Sequence, residues 1–294
     1  MRYLSRWAGV VLLVVSVIGM GSPASAAPQP KAQTPDCGAT VDKEDGKTWR
    51  CTFADEFNGK AIDEAKWQPL LTEATNLHGS EDCWVANENT IAVADGSLRL
   101  TSRREDSPFT CTKATGDTYE TQISSGSVTS YGKFAQTYGR WEIRARFPEI
   151  TLPGAQGTLW LTPAGGTSGA SAATGEIDLA EFYSLYPDRV VPYIHYNLSS
   201  LDSTVTNTTC MVSDPWNFHT YSMVWTAGHI VIAIDGTACV DHKIHAAKPL
   251  TGSQPFDQPF VINLTQTMGL GNNAPIEGTP LPLTTEVDYV RVWK

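Results

Sequence analysis

The sequence predicts an all-β protein of two packed antiparallel sheets, and three observations carry that prediction. Apolar and polar residues alternate with a period of two over many short stretches. Turn residues separate those stretches, and no long amphipathic helical period runs through the 294 residues. Residues 97–102 alternate in this way. Residues 141–147 set Trp141, Ile143, Ala145 and Phe147 on one face and Glu142, Arg144 and Arg146 on the other. Residues 221–225 and 229–234 follow, joined by Thr226-Ala227-Gly228, a spacing that suggests a hairpin. Short strands of this kind bury one face each, and two sheets packed face to face satisfy them all.

One strand carries unusual charge. Glu176-Ile177-Asp178-Leu179-Ala180-Glu181 runs on into Phe182 and Tyr183, so it reads as a strand and not a loop. Alternation puts Glu176 and Asp178 on one face, with Ile177 and Leu179 toward a core. Glu181 lies an odd number of positions from Glu176 and would fall on the wrong face. One extra residue, taken up as a β-bulge near the small Ala180, returns it to the other two. Three carboxyls in a row suit glycosidic chemistry, which needs a nucleophile and a proton donor about 5 Å apart. At about 3.3 Å per residue the two glutamate Cα atoms would stand about 13 Å apart, so both side chains must lean inward. Asp178 would orient Glu176, and its charge would raise the carboxyl pKa values beside it. A solvated acidic edge or a calcium site is the competing reading.

Other segments fall into an ordered set. Asp55-Glu56-Phe57-Asn58-Gly59 with Lys66-Trp67, Asp95-Gly96-Ser97-Leu98, and the run from Tyr138 through Gly139, Arg140, Trp141 and Glu142 to Arg146 come before the acids. Ile194-His195-Tyr196, His219-Thr220-Tyr221 with Trp225, Ile234-Asp235-Gly236 and the closing Val287-Asp288-Tyr289-Val290-Arg291-Val292 come after. With these motifs the chain resembles glycoside hydrolase family 16, in its laminarinase-like branch, whose acid motif carries the extra bulge residue. The resemblance covers about residues 50–294 and implies a jelly-roll β-sandwich whose concave face is crossed by a substrate cleft. It further implies a secreted, retaining endo-β-glucanase acting on β-1,3- or mixed β-1,3/1,4-glucan. Glu176 would be the nucleophile, Glu181 the acid/base and Asp178 the assisting carboxylate. His195 matches a histidine near the acids, and Trp160 a tryptophan that stacks on the sugar at the cleavage point. No cofactor is implied for catalysis. A structural calcium is implied on the convex side, at Glu56, the Gly96 carbonyl and Asp288, oxygen ligands of the type calcium takes.

Arg140, Glu142, Asn89 and Asn263 are candidates for the polar lining of the cleft, and Trp84, Tyr183, Tyr186, Tyr193 and Trp216 for aromatic platforms. Three departures from the family pattern bear on specificity. Gln156 stands where laminarinase-like members carry the first tryptophan of a tryptophan–proline–alanine–phenylalanine–tryptophan run. Residues 163–173 form a small-residue loop that could move over the cleft, and residues 263–271 lack the usual glycine–asparagine–tryptophan wording. The alternatives are a non-catalytic carbohydrate-binding sandwich, or a transglycosylase or galactan hydrolase on the same scaffold.

Residues 1–26 read as a secretory signal: Arg2 and Arg6, an apolar core over 10–21, then Ala24-Ser25-Ala26. Residues 27–47 read as a flexible lead-in and 48–294 as the catalytic domain. Without Arg2 and Arg6, 19 of the 21 basic residues remain against 31 acidic, a net of −12. Such a surface disfavours nucleic acid and polyanionic polysaccharides. A neutral polysaccharide is the expected partner, met by a monomer with no membrane attachment once the signal is cleaved. Six cysteines in an exported chain imply disulfides, with 15 pairings possible. Sequence neighbours are the expected partners, Cys37–Cys51 pinning the lead-in and Cys210–Cys239 clipping two late strands. Asp241-His242-Lys243-Ile244-His245 reads as a solvated loop after a strand and not as a metal site.

Overall fold

The structure, a computed structural model, describes residues 35–165, 174–196 and 205–294. The expected signal segment and residues 166–173 of the small-residue loop lie outside the described residues. Sixteen strands are formed among those described: β1 (Cys51–Asp55), β2 (Gln68–Pro69), β3 (Asp82–Trp84), β4 (Ile91–Ala94), β5 (Ser97–Thr112), β6 (Thr118–Ser125), β7 (Ser127–Thr129), β8 (Gly139–Arg146), β9 (Ala155–Pro163), β10 (Glu176–Tyr183), β11 (Val191–His195), β12 (His219–Thr226), β13 (His229–Ile234), β14 (Thr237–Lys243), β15 (Phe260–Met268) and β16 (Leu283–Trp293). One helical turn, Thr72–Thr75, and a 3₁₀ turn, Gly271–Asn273, interrupt them.

Two sheets result. The larger has ten strands in the order β14-β13-β12-β8-β16-β5-β6-β3, with β1 on β16 and β4 on β5. The smaller has six, in the order β11-β10-β9-β15-β7-β2. Pairing is antiparallel except for the short parallel ladder between β3 and β6. The hairpin expected across residues 221–234 is β12–β13, paired from Tyr221↔Ile234 to Thr226↔His229. Asp95-Gly96 and Asp235-Gly236 turn the β4–β5 and β13–β14 hairpins, all four residues at positive φ. That conformation matches the twist of the flanking strands and is open to Asp-Gly at little cost.

The sheets meet through alternate residues of each strand. In β8, Trp141, Ile143 and Ala145 are buried while Arg140, Glu142, Arg144 and Arg146 lie on the outer face. Phe147, just past β8, stacks on Phe182 of β10 with ring centroids 5.2 Å apart and planes 11° from parallel. Each such buried aromatic contributes about 2–3 kcal/mol relative to exposure. A polar bridge crosses the same layer. Gln266 of β15 accepts from Thr285 of β16 at 2.8 Å, and its amide reaches Ser102 of β5 at 3.4 Å. Buried polar groups need such partners to avoid their desolvation cost.

All six cysteines pair with sequence neighbours, as Cys37–Cys51, Cys83–Cys111 and Cys210–Cys239. The first of these, with the Asp42↔Thr48 bridge, ties residues 35–47 to the sandwich, and Cys37 is buried against Ala54 and Trp293. The compact unit therefore starts at Pro35, and the lead-in expected to be flexible up to residue 47 is pinned over its second half.

The chain crosses from the large sheet to the small one at Gly126, between β6 and β7. A Cβ there would lie 2.0 Å from the Thr90 carbonyl oxygen, so only glycine fits. Gly126→Ala is expected to cost about 3 kcal/mol or more. Denaturant unfolding checks this, and wild-type stability would refute so close a crossing.

Candidate active site

Strand β10 lies second in the small sheet, between β9 and β11. Ile177, Leu179, Ala180 and Phe182 are fully buried on its inner side. Its register on β9 runs Ile177↔Leu161 and Asp178↔Trp160, then jumps to Ala180↔Leu159 and Glu181↔Thr158. The same irregularity falls between Asp178 and Glu181 on the β11 side. This is the bulge the acid spacing calls for. It sends two consecutive residues, Leu179 and Ala180, into the core and leaves Glu181 on the face of Glu176 and Asp178.

On that face the register aligns one row across all six strands: Tyr193, Asp178, Trp160, Asn263, Thr129 and Gln68. Glu176, Asp178 and Glu181 open into one cavity of about 290 Å³, floored by Thr158, Trp160 and Thr265 and flanked by His78, Trp84 and Gln156. Trp160 also walls a neighbouring cavity of about 200 Å³, shared with Asn263, Thr162 and Tyr131. The indole of Trp160 is held by donation from Nε1 to Thr265 at 3.0 Å, and that of Trp84 by donation to Thr267 at 2.8 Å. Below the cleft wall, buried Asp82 accepts from Gly79 N, Thr267 Oγ1 and Met268 N, which fixes the 79–82 turn against β15.

His195 of β11 faces the acids. Its Nε2 is 3.0 Å from Asp178 Oδ2 and 4.0 Å from Glu176 Oε1, and its ring stacks on Tyr193 at 3.8 Å. Tyr183 donates to Glu181 Oε1 at 2.6 Å. Burial, then the charge of Asp178, pushes Glu176 up to about 9. Burial and the Glu181 charge raise Asp178 well above the ordinary range. Burial raises Glu181 too, opposed by the Tyr183 hydrogen bond and by His195. Groups this close share their protons as a set. Glu176 is the most open of the pair beside His195, with 15% of its side chain exposed against 1% for Asp178. It is therefore the better solvated place for a negative charge.

Other expected residues lie elsewhere. Arg140 and Glu142 are on the outer face of the ten-stranded sheet, away from the acids: Arg140 pairs with Glu142 at 2.6 Å, and Tyr289 donates to Glu142 at 2.8 Å. Their expected place in the cleft is corrected, because β8 belongs to the other sheet. Asn89 is exposed in the turn before β4. Tyr186 is exposed beneath the Arg189 guanidinium, and Trp216 lines neither cavity at the acids. The calcium set does not fit the ion as it stands. Glu56 receives two bonds from Arg291, at 2.7 and 2.8 Å, and Asp288 is taken by Arg144, so both carboxylates are already neutralised. Glu176, Asp178 and His195 do bring donor atoms within 4.8 Å of one another, a spacing that could hold a divalent cation. The 241–245 segment is not a solvated loop. Asp241 and His242 belong to β14, and His242 is buried with Nε2 2.6 Å from the Tyr196 hydroxyl. Thr265, Thr267 and His78 went unrecognised in the sequence. The two threonines follow from Asn263 by the period of two, whereas nothing local marks His78.

A sandwich that presents a row of buried carboxyls to an open cleft is the arrangement of a carbohydrate-cleaving hydrolase. The family model for glycosyl hydrolases family 16 matches residues 79–286, and the chain belongs to that family. It is 29% identical over 265 residues to glucan endo-1,3-beta-glucosidase A1 of Niallia circulans, covering 82% of this chain and 37% of the relative. It is 31% identical over 251 residues to keratan-sulfate endo-1,4-beta-galactosidase of Sphingobacterium multivorum, covering 82% and 54%. The chain thus spans between a third and about half of these relatives. Among solved structures, the non-specific endo-beta-1,3(4)-glucanase SCLam superposes with a TM-score of 0.70 at 26% identity, covering 90% of this chain and 98% of that one.

Two outcomes follow from this geometry. Glu176 has a folded pKa near 9 against an ordinary 4.5, so the fold is stabilised below 4.5 and loses that stability as pH rises toward 9. Glu176→Gln removes the effect. Its melting temperature should exceed wild type by a few degrees at about pH 8 and by less at about pH 5, and a gap that is equal or larger in acid would contradict the burial argument. Because Arg140 and Glu142 face away from the cleft, Arg140→Ala and Glu142→Ala should leave kcat and KM on any cleaved polysaccharide within a factor of about two. A KM rise of tenfold or more would return them to the substrate.

Proposed function

We propose that this protein is an exported, monomeric endo-β-glucanase that hydrolyses β-1,3- or mixed β-1,3/1,4-glucan with retention at the anomeric carbon. The observation that carries the reading is the shared cavity of Glu176, Asp178 and Glu181, continued beyond Trp160 by a second cavity that reaches Asn263, Thr129 and Gln68. An open cleft lets a long polymer lie across it with both ends free, which suits internal cleavage. The names of the glucanase relatives support a glucan, and three disulfides suit a chain that works in an oxidising compartment. No helix among the described residues is long and apolar enough to cross a membrane.

The reaction needs no cofactor. The Glu176 carboxylate attacks the anomeric carbon as its bond to the glycosidic oxygen breaks, and Glu181 gives its proton to that oxygen. The Glu181 carboxylate next takes a proton from water, and the water oxygen displaces Glu176 from the glycosyl ester. Asp178, held against His195, keeps the row in register. Trp160 offers an aromatic face to the sugar beside the cleavage point. Structural calcium forms no part of the proposal, since Arg291 and Arg144 would first have to release its ligands.

A galactan substrate is the second reading, favoured by the relative that acts on keratan sulfate and by Gln156 in place of a tryptophan. A net charge of −10 weighs against a sulfated chain. Incubation with laminarin, lichenan, agarose, carrageenan and keratan sulfate, followed by product sizing, separates the two. Laminarin or lichenan should yield a ladder of short oligosaccharides whose first-formed reducing ends are β. Glu176→Gln and Glu181→Gln should each lower kcat by about a thousandfold or more while the fold survives. Activity near wild type in either variant, or α products, would overturn the assignment. Products longer than the substrate would point to transglycosylation, and binding without new reducing ends to a carbohydrate-binding module.

A further inference from the structure

Tyr183 lies two residues beyond Glu181 on β10 and therefore on the same face. Sequence reasoning treats it as a platform for sugar, but its hydroxyl is committed to Glu181 Oε1 at 2.6 Å. We propose that Tyr183 is a positioning residue of the glycosidic reaction: its phenol occupies Oε1 of Glu181, so that the proton passed to the leaving oxygen is carried on Oε2. The same bond supports the Glu181 carboxylate when that group turns to act as base. The inference rests on the reading of Glu181 as the acid/base.

A carboxylic acid can carry its proton on either oxygen, and only one of the two can face a bound glycosidic oxygen. An O–H donor fixed on Oε1 leaves Oε2 to hold the proton. Tyr183 remains a donor throughout the working range, because burial and then the Glu181 charge push its own ionisation upward. The bond is also selective between the two states of Glu181. An O–H donor to a carboxylate forms a charge-assisted bond about twice as strong as one to a neutral acid. Tyr183 thus favours the charged form inside a buried site that otherwise penalises it, and it opposes the upward push of burial on Glu181. This matters most in the second step, where Glu181 must be charged to activate water. The other titratable groups facing Glu181 are Glu176 and Asp178 on its own strand, Tyr193 and His195 on β11, and His78 at the cleft wall. From β9 and β15 the cavity is lined by Gln156, Thr158, Trp160, Thr265 and Thr267, none of which titrates. Among the described hydrogen bonds, Tyr183 is the donor to this carboxyl.

Tyr183→Phe removes the hydroxyl and keeps the ring. On the glucan that wild type cleaves best, kcat should fall by about tenfold or more, and KM should stay level or fall with it as glycosyl-enzyme accumulates. The basic limb of kcat/KM should move up by about one pH unit, since Glu181 without its donor stays protonated to higher pH. With an aryl β-glucan oligoside whose leaving group needs no acid, the variant should show a burst of free phenol followed by slow turnover, as glycosyl-enzyme waits for its base. In a Glu181→Gln background the same substitution should add almost no further loss. An unmoved basic limb with unchanged kcat, or a full additional loss in that background, would overturn the inference. A wild-type protein that releases no reducing ends from any glucan would instead remove the parent reading, and this inference with it.

Discussion

The register shift at Leu179–Ala180 is the constraint from which the site follows. A regular strand would turn Glu181 toward the core, where it would face Phe147 and the large sheet. By admitting one extra residue against β9 and against β11, the strand buries two small or aliphatic side chains in succession and returns the next carboxyl to the cleft. Both neighbours share the irregularity, which keeps β10 from slipping back into regular pairing. The inner face of the strand, Ile177, Leu179, Ala180 and Phe182, anchors it by packing against the opposite sheet.

This arrangement sets stability against chemistry. Three carboxyls held together with little solvent lose hydration, and burial is the largest cause of the upward shift in each. The fold carries this because the cost is confined to one face of one strand, while the other face is apolar and completely enclosed. His195 and Tyr183 relieve the cluster from opposite ends, one near Asp178 and Glu176 and the other on Glu181. Asp82 shows the contrast. It is as buried as the acids of the cleft, but its two oxygens are filled by three donors, and it serves to hold a turn.

Much of this was legible because the relevant patterns are local. The three acids, their alternation with Ile177 and Leu179, and the arithmetic that demands a bulge lie within eight residues. The β12–β13 hairpin and the nearest-neighbour disulfides are also short-range features. The errors share a different origin. Arg140 and Glu142 alternate properly with Trp141 and Ile143, so the sequence identifies them as outward-facing, but outward from which sheet depends on strand order. Glu56 and Asp288 look like calcium ligands until Arg291 and Arg144 are brought beside them, and Glu56 and Arg291 are 235 positions apart. His242 looked solvated because its partner, Tyr196, lies on a different part of the chain.

By itself the sequence determined the strand content, the face each side chain takes within its strand, and the strand on which three carboxyls gather. These depend on backbone periodicity and on the chemistry of single residues, which neighbouring positions suffice to reveal. Tertiary structure alone decided which sheet each face belongs to, the row that carries Trp160 and Asn263 up to Asp178, and the pairing of Tyr183 and His195 with the acids. Those relations depend on registers between strands distant in the chain and on how far each carboxyl is withdrawn from water, quantities that exist only once the sheets have closed on one another.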